Sequence, residues 1–105
     1  MKIAVLSDIH GNLEGLTKVL KILSKTNIDK IVFLGDIVGY GVDSEKCYEI
    51  LKDKNCDFVM GNHDAMYCDL VDSSSCSGNG KISTLWQKNN ININQNEVEK
   101  FKNYI

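Results

Sequence analysis

Asp8 and His10 stand two residues apart, immediately beyond the apolar run Ile3-Ala4-Val5-Leu6. Asp36 follows Ile31-Val32-Phe33-Leu34-Gly35, and Asn62, His63 and Asp64 follow Phe58-Val59-Met60-Gly61. Three apolar runs thus end in carboxylates, imidazoles and a carboxamide. If the runs are strands of one parallel sheet, these ends share one edge, and that is where open α/β sheets bind ligands. Partly desolvated carboxylates gathered there repel each other and raise one pKa. A divalent cation removes the conflict. Asp oxygens, imidazole nitrogen and an Asn carbonyl together suit Mn, Fe, Zn, Co or Ni better than Mg or Ca, which favour oxygen alone. In an extended Asp8-Ile9-His10, the two polar side chains fall on one side and Ile9 turns back toward the core. Asp36, between neighbouring strand ends, is placed to bridge a pair of cations. Two ions about 3.5–4 Å apart clamp a phosphoryl group for in-line attack.

The elements that must position these residues are legible nearby. Residues 3 to 6 are apolar throughout, the pattern of a strand buried on both faces. Asn12 can cap a helix with Leu13, Leu16, Val19, Leu20 and Leu23 on one stripe, Glu14 in its first turn, and Lys21 and Lys25 near its end. A second strand covers about 30 to 34. Gly35, Gly39 and Gly41 then suit a backbone bending tightly around something. Asp43 or Ser44 caps a second helix to about Lys54 that buries Cys47, Ile50 and Leu51, and a third strand covers 56 to 60. This is α/β: β-α-β-α-β with crossovers long enough to require three parallel strands, plus two carboxy-terminal helices.

Beyond Asp64 the pattern weakens. Residues 67–80 read as a loop, with Asp72 to Gly80 polar and small. Residues 81–105 read as helices. The first holds Ile82, Leu85 and Trp86. The second opens at Asn94-Gln95-Asn96-Glu97, a capping box with Asn for Ser or Thr, and buries Val98, Phe101 and Ile105. Trp86 and Phe101 read as core, or as an interface. Residues 1–105 form a single domain, and residues 1–66 carry the chemistry.

Composition narrows the function. The chain of 105 residues is 43% hydrophobic and 25% charged, with net charge −2, an ordinary globular balance. No basic field draws nucleic acid or an anionic membrane. All twelve cations are Lys, so phosphate recognition cannot rest on a guanidinium clamp. Asp8 cuts the first apolar run too early for a signal peptide, and no apolar segment approaches the roughly 18 residues of a membrane span. The expectation is a cytoplasmic protein. Cys47, Cys56, Cys68 and Cys76 lack zinc-knuckle or redox spacing and read as reduced thiols.

Asp8-x-His10-Gly11, Gly35-Asp36-x-Val38-Gly39-Tyr40-Gly41 and Gly61-Asn62-His63-Asp64, in that order and each at a strand end, resemble the motifs of the calcineurin-like metallophosphoesterases. The resemblance covers essentially the whole chain and is strongest over residues 1 to 66. It implies half of a metallophosphoesterase α/β sandwich and metal-dependent hydrolysis of a small phosphoester, a phosphodiester or phosphomonoester, at a dinuclear site. Mn is the first choice of metal, with Fe, Zn, Ni or Co as alternatives. By that likeness Asp8 and His10 ligate the first metal, and Asp36 bridges both. Asn62 ligates the second and helps hold the phosphate, and His63 stabilises the transition state or protonates the leaving oxygen. Asp64 either orients His63 or caps a helix, and Tyr40 either stacks on substrate or packs on its loop.

Two departures qualify the likeness. Protein Ser/Thr phosphatases of the family carry Asp-Arg where Gly39-Tyr40 stands, which argues against that role. The Gly-Tyr-Gly form looks like the small prokaryotic phosphodiesterase branch. Family members also supply three further histidines from a second half, and this chain has only His10 and His63. The chain therefore reads as an amino-terminal half. A catalytically silent metal-binding half-domain that associates with itself or another chain is the alternative, through the open edge of its sheet. A receiver-like or nucleotide-binding module rests on topology alone and leaves His10, Asn62 and His63 unexplained.

Overall fold

The computed structural model describes residues 1–72 and 78–103. In chain order the elements are β1 (Ile3–Leu6), α1 (Leu13–Leu23), β2 (Lys30–Phe33), α2 (Ser44–Lys52), β3 (Cys56–Met60), α3 (Asn62–Tyr67), α4 (Gly78–Asn90), α5 (Gln95–Glu99) and β4 (Lys102–Asn103). The sheet order is β1-β2-β3-β4, with every pairing parallel. Leu6 pairs with Phe33 and Phe33 with Phe58. That register brings the first two strands out of the sheet at one level, with the third close behind, so their following loops meet.

Local chemistry explains the frame. Asn12 caps α1 by accepting the Gly15 N–H at 3.0 Å, with Glu14 and Lys21 matching the helix dipole at either end. Asp43 precedes α2 without a side-chain capping bond. Asn94 caps α5 through the Asn96 N–H at 2.8 Å. Glu97 does not close the expected box; it accepts from the Tyr48 hydroxyl at 3.2 Å instead, tying α5 to α2. The helices pack against one face of the sheet, around Phe33, Ile37, Leu51 and Val98, with Ile9 turned onto that cluster. Cys47, Cys56 and Cys68 are free thiols. Cys76 and Ile105 lie outside the described residues. Among the described residues no helix is long and apolar enough to cross a membrane.

Three sequence expectations need correcting. The first strand is not buried on both faces: Ala4 is buried, but Ile3 and Val5 are 50% and 59% exposed. The crossovers fall on one face, so alternate residues of this edge strand face outward with no layer over them, and Leu34 is exposed beyond β2. The last helix stops at Glu99, and Phe101 is buried outside any helix. Its ring stacks on Phe58 at 4.8 Å and 14°, which draws the chain into β4 beside β3. Finally, α4 is turned the other way round. Ile82 and Trp86 are 68% and 56% exposed, while Thr84 and Gln87 are buried. Trp86 is therefore not core. The hydrogen bonds that turn this helix belong to the site. A short helix, α3, follows β3 directly, in line with the reading of Asp64 as a helix cap.

The asymmetry of the sheet predicts an asymmetric mutational response. Phe33→Ala, in the covered face, should cost about 3–5 kcal/mol, whereas Val5→Thr on the open face should stay within about 0.5 kcal/mol. Urea denaturation of the two variants measures the difference.

Candidate metal centre

Three loops meet at the carboxyl end of the sheet. The Asp8 N–H bonds the Gly35 carbonyl at 2.9 Å, the His10 N–H bonds the Asp36 carbonyl at 3.0 Å, and the Gly41 N–H returns to the His10 carbonyl at 2.8 Å. Closing the loops so tightly holds the backbone in an uncommon conformation. Asp8, His10, Asp36 and Tyr40 have φ of 53°, 45°, 66° and 56°, in the left-handed region that costs non-glycine residues energy. Apart from Asp69, these are the non-glycine residues with positive φ among the described residues. The strain is concentrated where the chemistry would be.

Asp64 holds the frame. Its carboxylate accepts the N–H of Asp36 at 2.7 Å, of Ile37 at 3.0 Å and of Gly61 at 2.9 Å. It thereby caps α3 and ties the loop after β2 to the end of β3. Burial outweighs these donors and pushes its carboxyl up to about 6. The approach of the loops is close at Gly61, where a Cβ would lie 2.6 Å from the Asp36 backbone nitrogen.

Within that frame the donors converge. The Nδ1 atom of His10 lies 2.8 Å from the Val38 carbonyl. A carbonyl only accepts, so in the neutral ring Nδ1 carries the hydrogen and the Nε2 lone pair is left for a cation. Nε2 stands 3.6 Å from Asp8 Oδ1 and 3.9 Å from Asp36 Oδ2, too far for hydrogen bonds and spaced as donors around an ion. Asp36 is buried; its Oδ1 accepts the His63 N–H at 3.0 Å, and burial raises its pKa. Exposed Asp8 is held below the usual carboxylate range, chiefly by the Ser7 hydroxyl at 2.5 Å. Ligand atoms of His10, Asp36 and His63 all lie within 4.8 Å of one another. The donor set fits a divalent cation: an imidazole whose Nε2 faces the carboxylates while a carbonyl holds its Nδ1, and carboxylates whose mutual repulsion a cation would relieve.

Asn62 is exposed at the first position of α3, next to His63. The Tyr40 ring is half-exposed over the site, 4.9 Å from the His10 ring and 5.3 Å from that of His63. Burial lowers the pKa of His63 and favours its neutral ring, and its Nδ1 meets the Thr84 hydroxyl at 2.8 Å. Sequence reasoning missed Thr84 and its helix neighbours. Gln87 Oε1 accepts from the Gly39 N–H at 3.0 Å and from the Ser44 hydroxyl at 2.8 Å, and its Nε2 donates to the Gly41 carbonyl. Ser83 accepts the Tyr40 N–H at 2.7 Å. The only sequence signal was polar residues at helical spacing, 84 and 87, on the side away from Ile82 and Trp86.

The model of the calcineurin-like phosphoesterase family matches residues 1–104. The chain belongs to this family. It is 44% identical over 99 residues to an uncharacterised protein of Methanocaldococcus jannaschii, covering 94% of this chain and 40% of that one. It is 37% identical over 76 residues to the asymmetrical bis(5'-nucleosyl)-tetraphosphatase of Oceanobacillus iheyensis, covering 60% of this chain and 30% of that protein. Serine/threonine-protein phosphatase 1 of Salmonella typhimurium is 35% identical over 86 residues, covering 81% and 37%. Among solved structures, the metallophosphoesterase of Sphaerobacter thermophilus superposes with a TM-score of 0.72 at 28% identity, over 96% of this chain and 41% of that one. A protein provisionally assigned as a diadenosine tetraphosphatase gives the same TM-score and identity over 94% and 42%. The chain thus spans 30–40% of the length of these curated relatives, and its α/β fold with a parallel sheet matches part of the solved ones.

The Asp64 clamp makes a testable prediction. Asp64→Ala leaves the buried N–H groups of Asp36, Ile37, Val38 and Gly61 without this acceptor and should cost about 3 kcal/mol or more. The pH dependence has a definite sign. The carboxyl titrates at 3.8 when unperturbed and at about 6 when folded, so the folded state keeps the proton longer. The stabilisation from protonation is complete below the lower value and is lost as pH rises through the higher one. Urea unfolding of the wild type and of Asp64→Asn across this range should show a steeper decline in the wild type than in the variant, which keeps the smaller contribution of buried Asp36.

Proposed function

We propose that this chain carries the metal-binding half of a phosphoester hydrolase acting on phosphodiesters or phosphomonoesters. The observation that carries the reading is the donor geometry around His10 Nε2, with Asp8 Oδ1 at 3.6 Å and Asp36 Oδ2 at 3.9 Å. Asp8 and His10 would hold one divalent cation, Asp36 would reach two, and Asn62 would serve the second. Bound cations supply charge neutralisation and Lewis acidity to the phosphoryl group. Mn is the proposed metal, since the mixed nitrogen and oxygen set suits it.

The protein's own groups have separate tasks. With no Arg in the chain, non-bridging phosphoryl oxygens would be met by neutral donors, the Asn62 carboxamide and the His63 ring N–H. His63 is placed to stabilise, through its ring N–H, the charge developing on the phosphoryl oxygens. Its neutral preference keeps it from competing with the cations. The exposed Tyr40 ring offers a flat surface to the leaving group. Similarity to a bis(5'-nucleosyl)-tetraphosphatase makes dinucleoside polyphosphates, with a nucleotide as the leaving group, one substrate class to assay.

The test is hydrolysis of bis-p-nitrophenyl phosphate with added Mn. Turnover is expected, and Asp36→Asn should lower kcat/KM by at least about 100-fold, more than loss of a group behind a ligand typically costs. Absence of turnover with Mn, Fe, Zn, Ni and Co would remove the enzymatic reading for this chain.

A second reading is favoured by the open sheet face, where Ile3, Val5 and Leu34 are exposed beyond the reach of any described helix. A metal-binding but catalytically silent half would cover that face with another chain. Sedimentation velocity should then show concentration-dependent association, and a monomer at high concentration would count against this reading.

A further inference from the structure

An amphipathic helix ordinarily turns its apolar residues inward, and α4 does the opposite: Ile82 and Trp86 are exposed while Thr84 and Gln87 are 0% and 2% exposed. Burying a hydroxyl and a carboxamide is costly unless both find partners, and here both do. Gln87 holds the Gly39 N–H, the Ser44 hydroxyl and the Gly41 carbonyl, and so fixes the loop that follows Asp36. Among the described residues the Thr84 hydroxyl meets His63 Nδ1, at 2.8 Å. The contact depends on Gly39, where φ is +92° and a Cβ would come within 2.5 Å of that nitrogen and 2.9 Å of the Thr84 hydroxyl.

The two imidazoles are therefore held by different chemistry. His10 meets an acceptor-only carbonyl, which puts its hydrogen on Nδ1. His63 meets a hydroxyl, which can donate. We propose that Thr84 is a positioning residue: its hydroxyl donates to His63 Nδ1, which keeps the ring hydrogen on Nε2 and directs it toward the phosphoryl oxygens. The inference rests on the phosphoesterase reading for the purpose of that hydrogen, but not for its position. His10 and His63 thus take opposite tautomers, one offering a lone pair and the other an N–H. Asp64, adjacent in sequence, does not serve this ring, since its carboxylate is committed to backbone amides.

The chain has only two histidines, so ¹⁵N-histidine labelling and long-range ¹H–¹⁵N correlation spectra of the metal-free protein can read both rings. The expected result is one ring with its hydrogen on Nδ1, assigned to His10, and one with it on Nε2, assigned to His63. Thr84→Val should turn His63 into a tautomer mixture and leave His10 unchanged, and Thr84→Ser should restore the wild-type spectrum. In hydrolysis assays Thr84→Val should lower kcat by about 10–100-fold, as loss of a group behind a functional side chain does, with KM within about twofold. Thr84→Ser should recover most of that loss. A wild-type His63 with its hydrogen on Nδ1, or a His63 spectrum indifferent to Thr84→Val, would overturn the proposal. If the Val variant does not fold, the wild-type spectrum alone decides. A wild type without turnover would sink the phosphoesterase reading, while the tautomer spectra would still decide the role of Thr84.

Discussion

The carboxylate of Asp64 accepts amides from two loops that belong to different strands. The N–H groups of Asp36 and Ile37 come from the segment after β2, and that of Gly61 from the end of β3. Without an acceptor there, these buried donors and the Val38 N–H beside them would be stranded and the loops would have no reason to approach. With it, Asp36 is carried into the interior, its Oδ1 is occupied by the His63 N–H, and its Oδ2 is left facing His10. The site is assembled by a residue that does not point into it.

Around that clamp the chain accepts backbone strain at Asp8, His10, Asp36 and Tyr40, and the loop-to-loop hydrogen bonds hold these residues in place. The α4 helix adds a second restraint from outside. By facing Gln87 and Thr84 inward it satisfies the backbone at Gly39 and Gly41 and the ring of His63, and it leaves Ile82 and Trp86 in solvent. Hydrogen bonds to a buried loop decided the orientation of this helix over hydrophobic burial. That trade leaves an apolar surface open on α4, beside the one that the one-sided crossovers leave on the sheet.

How much was legible beforehand follows from where the information lies. The strands, α1, α2 and their parallel order could be read because periodic apolar runs and caps are local signals. Asp8, His10 and Asp36 could be grouped because each follows such a run. The one-sided burial of β1 could not be read, because four apolar residues look alike whether one face or both are covered. The inverted α4 was missed for a related reason: Ile82, Leu85 and Trp86 are the stronger pattern, and the partners of Thr84 and Gln87 are 21 to 48 residues away in sequence. Phe101 reads as helical from the Asn94 box and its spacing after it, although stacking on Phe58 sets its position.

The account stands on the claim that the tips of neighbouring parallel strands hold donors around a divalent cation. Anomalous diffraction from crystals grown with Mn, recorded on both sides of the Mn absorption edge, tests it most directly. The account predicts a peak bonded to His10 Nε2 and to the carboxylates of Asp8 and Asp36. Crystals that diffract well but show no anomalous density among those three side chains would contradict it.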